Sequence, residues 1–127
     1  MKRPVLLDAS FLIALERETA RDHAGPARRF LPGLRGRRLV ISVVTVEELL
    51  EGAADEPAAL SALQRFSIQG LHLSHARRCA LIQRRAARRM GDNDAWLVAT
   101  AESLNADVVG ADRSAFDRLG ERYLRFR

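Results

Sequence analysis

The stretch NDAWLVATAESLNADVVGAD, residues 93–112, contains a helical pattern followed directly by a short apolar run. Apolar residues recur at the spacing of an amphipathic helix over Asn93–Asn105, and Asp107–Gly110 has the length and composition of a buried strand. Asp94 falls in the middle of the apolar arc of that helix, among positions occupied by leucine, valine and alanine. Burying a lone carboxylate is costly, so we expect Asp94 to have a partner or to end at a cleft.

The same alternation of short apolar runs and longer periodic stretches extends over the whole chain. Further strands are predicted at Pro4–Leu7, Leu39–Val44, Gly70–Leu73 and Arg122–Phe126. Further helices are predicted at Ala9–Arg17, Ala24–Leu34, Val46–Ala53, Ala58–Phe66, Ala76–Arg89 and Ser114–Leu119. Strands rich in valine and leucine without polar alternation indicate a mostly parallel sheet covered on both faces. The sequence therefore predicts an α/β fold, a three-layer sandwich, as a single domain over residues 1–127.

The composition is typical of a compact domain. The chain has 127 residues, of which 47% are hydrophobic and 4 are prolines, unlike a disordered chain. The single cysteine, Cys79, cannot form a disulfide within the chain, which suits a reducing cytoplasm. The uncharged apolar run Leu39–Val46 is too short to span a bilayer. We therefore expect a cytoplasmic protein with no membrane role.

The positive charge of the chain is almost entirely arginine. The net charge of +5 results from 20 arginines and one lysine against 16 acidic residues. Arginine makes bidentate contacts with phosphate, so a nucleic-acid partner and a merely solvated surface are both compatible with this composition. The helix predicted at Ala76–Arg89 forms one continuous basic arc, either a solvated face or a surface for RNA or an acidic partner. Its members are Arg77, Arg78, Arg84, Arg85, Arg88 and Arg89.

Four acidic residues are predicted to meet at one edge of the sheet. Asp8 directly follows the first strand, Glu48 lies one turn after the second, and Asp112 follows the strand that ends the quoted stretch. Asp94 opens the helix whose inner face must lie against the sheet. Ligands of parallel sheets bind outside the carboxyl ends of the strands, where helices begin, so the four carboxylates are expected to converge there.

Each of these acids also has a purely structural interpretation. Asp8 and Asp112 could be helix N-caps, Thr45 and Glu48 fit a capping box, and Asp94 could complement a helix dipole. Capping, however, does not require four carboxylates around one cavity. Four like charges that close together destabilise a fold unless a cation offsets them. Oxygen ligands without cysteine or histidine indicate Mg²⁺ or Mn²⁺ rather than zinc.

Three segments resemble the motifs of PIN-domain ribonucleases, and specifically those of VapC-type toxins. LLDASFLIAL, residues 6–15, is similar to the family's Leu-Asp-x-Ser opening, and ISVVTVEELLEG, residues 41–52, to its Ser-x-x-Thr-x-x-Glu-Leu-x-x-Gly segment. NDAWLVATAESLNADVVGADRSAF, residues 93–116, resembles the Asn-Asp-x-x-Leu/Ile-x-Ala-x-Ala segment and the strand after it. Periodicity does not decide between Glu47 and Glu48, whereas the resemblance selects Glu48.

The resemblance implies a ribonuclease that uses Mg²⁺ or Mn²⁺ to hydrolyse RNA phosphodiester bonds, forms homodimers and binds a VapB-type antitoxin near its active site. The metal-binding acids carried over from the family are Asp8, Glu48, Asp94 and Asp112. Ser10 would help to bind metal or phosphate, or is only a serine in a first helical turn. Asp92 is interpreted as the N-cap of its helix. Arg113, beside Asp112, could contact a phosphate or be an ordinary surface arginine.

Two other interpretations stay open: a PIN nuclease that processes RNA outside any toxin–antitoxin system, and a non-catalytic module that binds RNA or a protein. Other phosphate chemistries are excluded. A dehalogenase-type phosphatase needs an aspartate where Ser10 stands, a receiver domain needs a late lysine whereas the only lysine is Lys2, and no P-loop occurs. The pair His72 and His75 lacks a third histidine or cysteine and is interpreted as surface or loop histidines.

Overall fold

A five-stranded parallel sheet forms the centre of the computed structural model, which describes residues 2–111 and 114–127, without the side chains of Ser114 and Ala115. The strands are β1 Val5–Leu7, β2 Leu39–Ser42, β3 Ser67–Gln69, β4 Asp107–Gly110 and β5 Tyr123–Arg125. They lie in the order β3-β2-β1-β4-β5, and every neighbouring pair is parallel.

Helices cover both faces of this sheet. They are α1 Ala9–Ala20, α2 Pro26–Phe30, α3 Val43–Glu51, α4 Glu56–Leu63, α5 Leu73–Arg85 and α6 Asp92–Leu104. Successive strand residues point to opposite faces. One face packs against α1 and buries Val5, Leu7, Ile41 and Val109. The other packs against α5 and α6 and buries Leu6, Val40 and Val108. The predicted three-layer α/β sandwich is therefore confirmed, and its sheet is parallel throughout.

The strand order places a crevice between β1 and β4. From β1 the chain continues outward to β2 and β3, and it later returns to the other side of β1 to form β4 and β5. Parallel sheets bind ligands at such a reversal, outside the carboxyl ends of the two central strands. The residues that directly follow β1 and β4 are therefore the ones best placed to form a site.

Two strands differ from the prediction by more than one residue at an end. The strand predicted at Gly70–Leu73 is wrong, because β3 is Ser67–Gln69 and Leu73 is already the first residue of α5. In this edge strand Ile68 is exposed, as are Leu71 and Leu73 after it. The sequence pattern therefore does not distinguish the strand from the residues that follow it. Strand β2 ends at Ser42 and not at Val44, because the Ser42 hydroxyl accepts the Val44 N–H at 3.1 Å and caps α3.

Helix α5 is shorter than predicted. It ends at Arg85, and Ala86 has extended backbone angles, so Arg88 and Arg89 do not continue the predicted helical arc. The side-chain amide of Gln83 stabilises the chain after the helix, donating to the Met90 carbonyl and accepting the Met90 N–H, both at 3.0 Å. Helix α6 has Gly91 as its N-cap, so the interpretation of Asp92 as the N-cap is wrong by one residue.

The remaining predicted helices differ mainly at turns and ends. The helix predicted at Ala24–Leu34 is split into α2 and a 3₁₀ turn at Leu31–Leu34, which contains a proline at its start. The helix predicted at Ser114–Leu119 is 3₁₀ in type and extends to Arg122, with a break at Gly120 where φ is 57°. Across the described residues, no helix is both long and apolar enough to cross a membrane.

The buried carboxylate of Glu18 caps α2. It accepts the backbone N–H groups of Ala27 at 3.0 Å and Arg28 at 2.8 Å, two of the donors that a helix start leaves unpaired. Burial by itself raises the pKa of Glu18, but the backbone N–H groups outweigh it and hold the pKa below its usual value. Gly25 permits this approach, since a Cβ there would stand 2.6 Å from Glu18 Cδ.

Candidate active site

Asp8 lies at the carboxyl end of β1 with only 6% of its surface exposed. It occupies the N-cap position of α1, yet its side chain makes no capping hydrogen bond, so the simple N-cap interpretation of this acid is excluded. The Ser10 hydroxyl instead donates to Asp8 Oδ2 at 2.7 Å. None of the ion pairs formed among the described residues includes Asp8. The structure therefore keeps a buried carboxylate at the crevice without using it to cap its own helix.

Ser10 connects this carboxylate to the end of β4. Its Oγ accepts the backbone N–H of Ala111 at 3.0 Å while donating to Asp8. The backbone of Asp8 is fixed as well, because its N–H donates to the Val109 carbonyl at 2.9 Å. The ends of the two central strands are thus joined through one hydroxyl. Asp112, the residue after Ala111, lies outside the described residues, as does Arg113.

Gly110 leaves space next to the Asp8 carboxylate, and the sequence analysis did not single it out. A Cβ at this position would stand 3.1 Å from Asp8 Oδ2 and 3.1 Å from the Tyr123 hydroxyl. Both distances are too short for ordinary contact, so a larger residue would displace one of the two groups. The signal in the sequence is a glycine that ends an otherwise valine-rich strand directly before an acidic residue.

Glu48 lies on α3, which contacts both α1 and α6. Its side chain is exposed. The capping-box interpretation is wrong, because Ser42 caps α3 and Thr45 is buried inside the helix. The neighbouring Glu47 shares a hydrogen bond with Glu51, and this bond, with partial desolvation and the charges of Glu51 and Glu48, raises the pKa of Glu47. Glu47 therefore interacts along its own helix, and the choice of Glu48 over Glu47 stays a prediction from the family resemblance.

Asp94 is the third residue of α6 and is half-buried. The residues that follow are buried on nearly every side of the helix, from Ala95 to Ala101 with the exception of Trp96. This agrees with the expectation that Asp94 lies in the apolar arc. An acid in a first turn is also favourable for the helix dipole, so position alone does not assign it a chemical role.

The described residues bring Asp8, Ser10 and the end of β4 together, and they place Glu48 and Asp94 on two helices in contact. Within residues 2–111 and 114–127, no three His, Cys, Asp or Glu side chains form a group that could hold a metal ion. Mg²⁺ needs only one or two carboxylates, because it retains water and binds substrate phosphate. The oxygen-only donors, the buried Asp8 without a cationic partner among the described residues and the space left by Gly110 fit such a cation.

The histidine pair is structural. His75 is buried, which corrects its interpretation as a surface or loop residue, and its Nδ1 accepts the His72 N–H at 2.9 Å at the start of α5. Burial, together with the charges of His72 and Arg78, lowers the pKa of His75. His72 is exposed at the N-cap. The pair therefore stabilises a helix start.

A protein-family model described as PIN domain matches residues 5–122. Among solved structures, a toxin–antitoxin complex from Klebsiella pneumoniae has a TM-score of 0.78 and 21% identity, covering 97% of this chain and 98% of that chain. VapBC-1 from nontypeable Haemophilus influenzae has a TM-score of 0.71 and 22% identity, covering 96% and 97%. VapBC-5 from Mycobacterium tuberculosis has a TM-score of 0.68 and 24% identity, covering 99% of each chain. No curated protein sequence matches the chain.

Proposed function

Because this chain belongs to the PIN-domain family, we propose that it is a metal-dependent endoribonuclease and the toxin component of a VapBC-type toxin–antitoxin pair. The VapBC complexes among its structural neighbours support the toxin assignment. Residues 1–127 would form one such domain. The reaction is hydrolysis of an RNA phosphodiester bond, with no side chain acting as a covalent nucleophile.

The observation that carries this proposal is the state of Asp8. A carboxylate that is 6% exposed, caps no helix and has no cationic side chain paired with it among the described residues costs stability. A bound divalent cation would offset that cost. The position, at the carboxyl ends of β1 and β4, is where a parallel sheet of this order binds its ligands.

We assign Asp8, Glu48, Asp94 and Asp112 as the residues that would hold Mg²⁺ or Mn²⁺. When bound, such a cation lowers the pKa of water and stabilises negative charge on phosphate oxygens. Ser10 holds the Asp8 carboxylate in one orientation through the 2.7 Å hydrogen bond. Gly110 keeps side-chain atoms out of the space next to Asp8 Oδ2. Arg113, beside Asp112, would contact a substrate phosphate.

The proposal includes partners and location. The substrate is RNA, the regulator is a VapB-type antitoxin that covers the site, and the active form is a homodimer. We propose a cytoplasmic location because the single cysteine, Cys79, is buried as a free thiol. Its burial is the main cause of its raised pKa, and a protonated, buried thiol reacts slowly.

Cleavage of a mixed pool of cellular RNA tests the proposal. Purified protein is incubated with the pool in Mg²⁺, in Mn²⁺ and in EDTA, with the Asp8→Asn variant alongside to exclude a contaminating nuclease. We expect cleavage with either metal, none in EDTA and none by the variant. Cleavage that persists in EDTA, or that the variant retains, would overturn the assignment. RNA binding with no cleavage under any condition would favour the non-catalytic module.

A further inference from the structure

Arginines without acidic partners are concentrated on the outer side of α5 and in the chain just after it. We call Arg77, Arg84, Arg85 and Arg88 the α5 basic surface. All four are exposed, and none of them forms an ion pair with another described residue. Their neighbours Arg78 and Arg89 differ, since these are paired with Glu102 at 3.5 Å and Asp92 at 2.7 Å.

The charge of this region is not balanced locally. Residues 73–91 contain six arginines and no acidic residue, and therefore account for more than the whole net charge of +5. The opposite side of α5 is fixed in the core by His75, Cys79 and Ile82, so the helix cannot rotate to separate its arginines. Like charges on one helix face repel, and the C-terminal dipole favours only Arg84 and Arg85 in the last turn.

The α5 basic surface extends toward the candidate active site. Arg78 near the start of α5 pairs with Glu102 near the end of α6, and Gln83 near the end of α5 binds Met90 just before α6. The two helices are therefore antiparallel. Arg84 and Arg85, with Arg88 in the chain just after the helix, consequently lie at the end of α5 that is closest to the first turn of α6, where Asp94 is placed.

The α5 basic surface spaces its guanidinium groups along the length of the helix. Arg77 and Arg84 are seven residues apart and lie on nearly the same side of the helix, about 10 Å apart along its axis. Ser74, Ala80 and Leu81 form a shallow groove with them on the exposed side of α5. Guanidinium groups spaced along a groove bind successive phosphates of a polyanion with little dependence on sequence.

We propose that the α5 basic surface binds the phosphate backbone of single-stranded RNA and leads it to the candidate active site, which Asp94 borders at the start of α6. This inference rests on the proposed function for its substrate, but binding and cleavage are separate measurements. Each phosphate contact releases counterions from single-stranded nucleic acid, so binding through this surface is salt-dependent.

The test compares two double variants that remove the same charge. Arg77→Gln with Arg84→Gln removes two members of the surface. Arg17→Gln with Arg21→Gln removes two exposed arginines at the C-terminal end of α1, which is the end opposite to its N-cap Asp8. Fluorescence anisotropy with a labelled single-stranded RNA oligonucleotide, in EDTA over a range of salt, gives affinity without cleavage. Thermal unfolding confirms that both variants fold.

We expect the α5 variant to bind RNA roughly tenfold more weakly near physiological salt, with the slope of log affinity against log salt reduced by about 1.4. The α1 variant should keep the slope of the unmodified chain. Equal weakening in both variants would overturn the proposal, because affinity would then follow net charge alone. Unchanged RNA affinity in the α5 variant with loss of binding to polyglutamate would also overturn it and assign the surface to an acidic protein.

The same measurements separate this inference from the proposed function. If the unmodified chain binds RNA through α5 but never cleaves it, the nuclease assignment fails and the surface assignment holds. If the α5 variant cleaves RNA with the KM of the unmodified chain, the surface assignment fails and the nuclease assignment holds.

Discussion

Ser10 and Asp8 are joined by a 2.7 Å hydrogen bond in which the serine hydroxyl donates to Oδ2, and the same hydroxyl accepts the Ala111 N–H at 3.0 Å. One side chain therefore sets the direction of a buried carboxylate and fixes the backbone on which Asp112 follows. Ser10 positions the site, in addition to any contact it makes with a ligand.

Replacing Ser10 with alanine removes both hydrogen bonds and leaves the Ala111 N–H without its acceptor. We expect a loss of about 1–3 kcal/mol in the free energy of unfolding, because a partly buried donor loses its partner. We also expect RNA cleavage to fall about 10- to 100-fold, as for other groups that orient metal ligands. Urea unfolding and initial cleavage rates give the two numbers. Ser10→Thr keeps a hydroxyl and should recover part of both losses. Full activity in Ser10→Ala would contradict the positioning role.

Asp94→Asn should abolish cleavage without weakening the fold. The substitution keeps the shape of the side chain and removes one negative charge from the proposed site, so the melting temperature should stay the same or rise. Asp92→Asn is the matched control, since that exposed carboxylate is two residues away on the same helix turn and pairs with Arg89 at the surface. Equal loss of cleavage in both variants would show that the effect does not belong to the site.

Gly110→Ala should damage both stability and activity. Its Cβ would stand 3.1 Å from Asp8 Oδ2 and 3.1 Å from the Tyr123 hydroxyl, so one of these groups must move. We expect a cost of about 1–3 kcal/mol, typical of overpacking, together with reduced cleavage. Gly52→Ala provides the comparison, because a Cβ there meets nothing within 4 Å. Thermal unfolding of both variants measures the difference, and equal melting temperatures would contradict this description of the crevice.

Glu18 makes the stability of the fold depend on pH in the acidic range. Its pKa is lowered in the folded state, so its stabilising contribution is complete above its unfolded pKa and is lost as the pH falls through the folded value. Urea unfolding at a series of pH values below about 5 should show stability decreasing as the pH falls. Glu18→Gln should be less stable near neutral pH and lose part of this dependence. An identical pH profile in the variant would mean that other carboxylates produce the response.

The strands whose place in the chain the sequence predicted best are β1, β2 and β4, because they are central strands and their valine, leucine and isoleucine residues are almost all buried on both faces of the sheet. Strand β3 was misplaced because Ile68 is 45% exposed and differs little from Leu71 and Leu73, which are exposed as well. Strands are recognised in this sequence by runs of buried apolar residues. An edge strand is partly exposed, so its run of apolar residues is less distinct and its ends are harder to predict.

The positions of the candidate acids in strands and helices could be predicted from the sequence, but their contacts could not. The spacing placed Asp8 at the end of a strand and Asp94 in the first turn of a helix, which the structure confirms. The bond from Ala111 to Ser10 joins residues 101 positions apart and depends on strand order, which local patterns do not encode. The same holds for Glu18, whose carboxylate caps a helix nine positions further along the chain.

The most direct measurement is a crystal structure of the chain grown with Mn²⁺, with anomalous diffraction recorded to locate the metal. The account predicts an anomalous peak within about 2.5 Å of a carboxylate oxygen of Asp8, with a second of the four acids in its coordination sphere. Asp8→Asn, crystallised in the same way, should lack the peak. A peak at other residues while Asp8 stays unliganded, in protein that still cleaves RNA, would contradict the central claim.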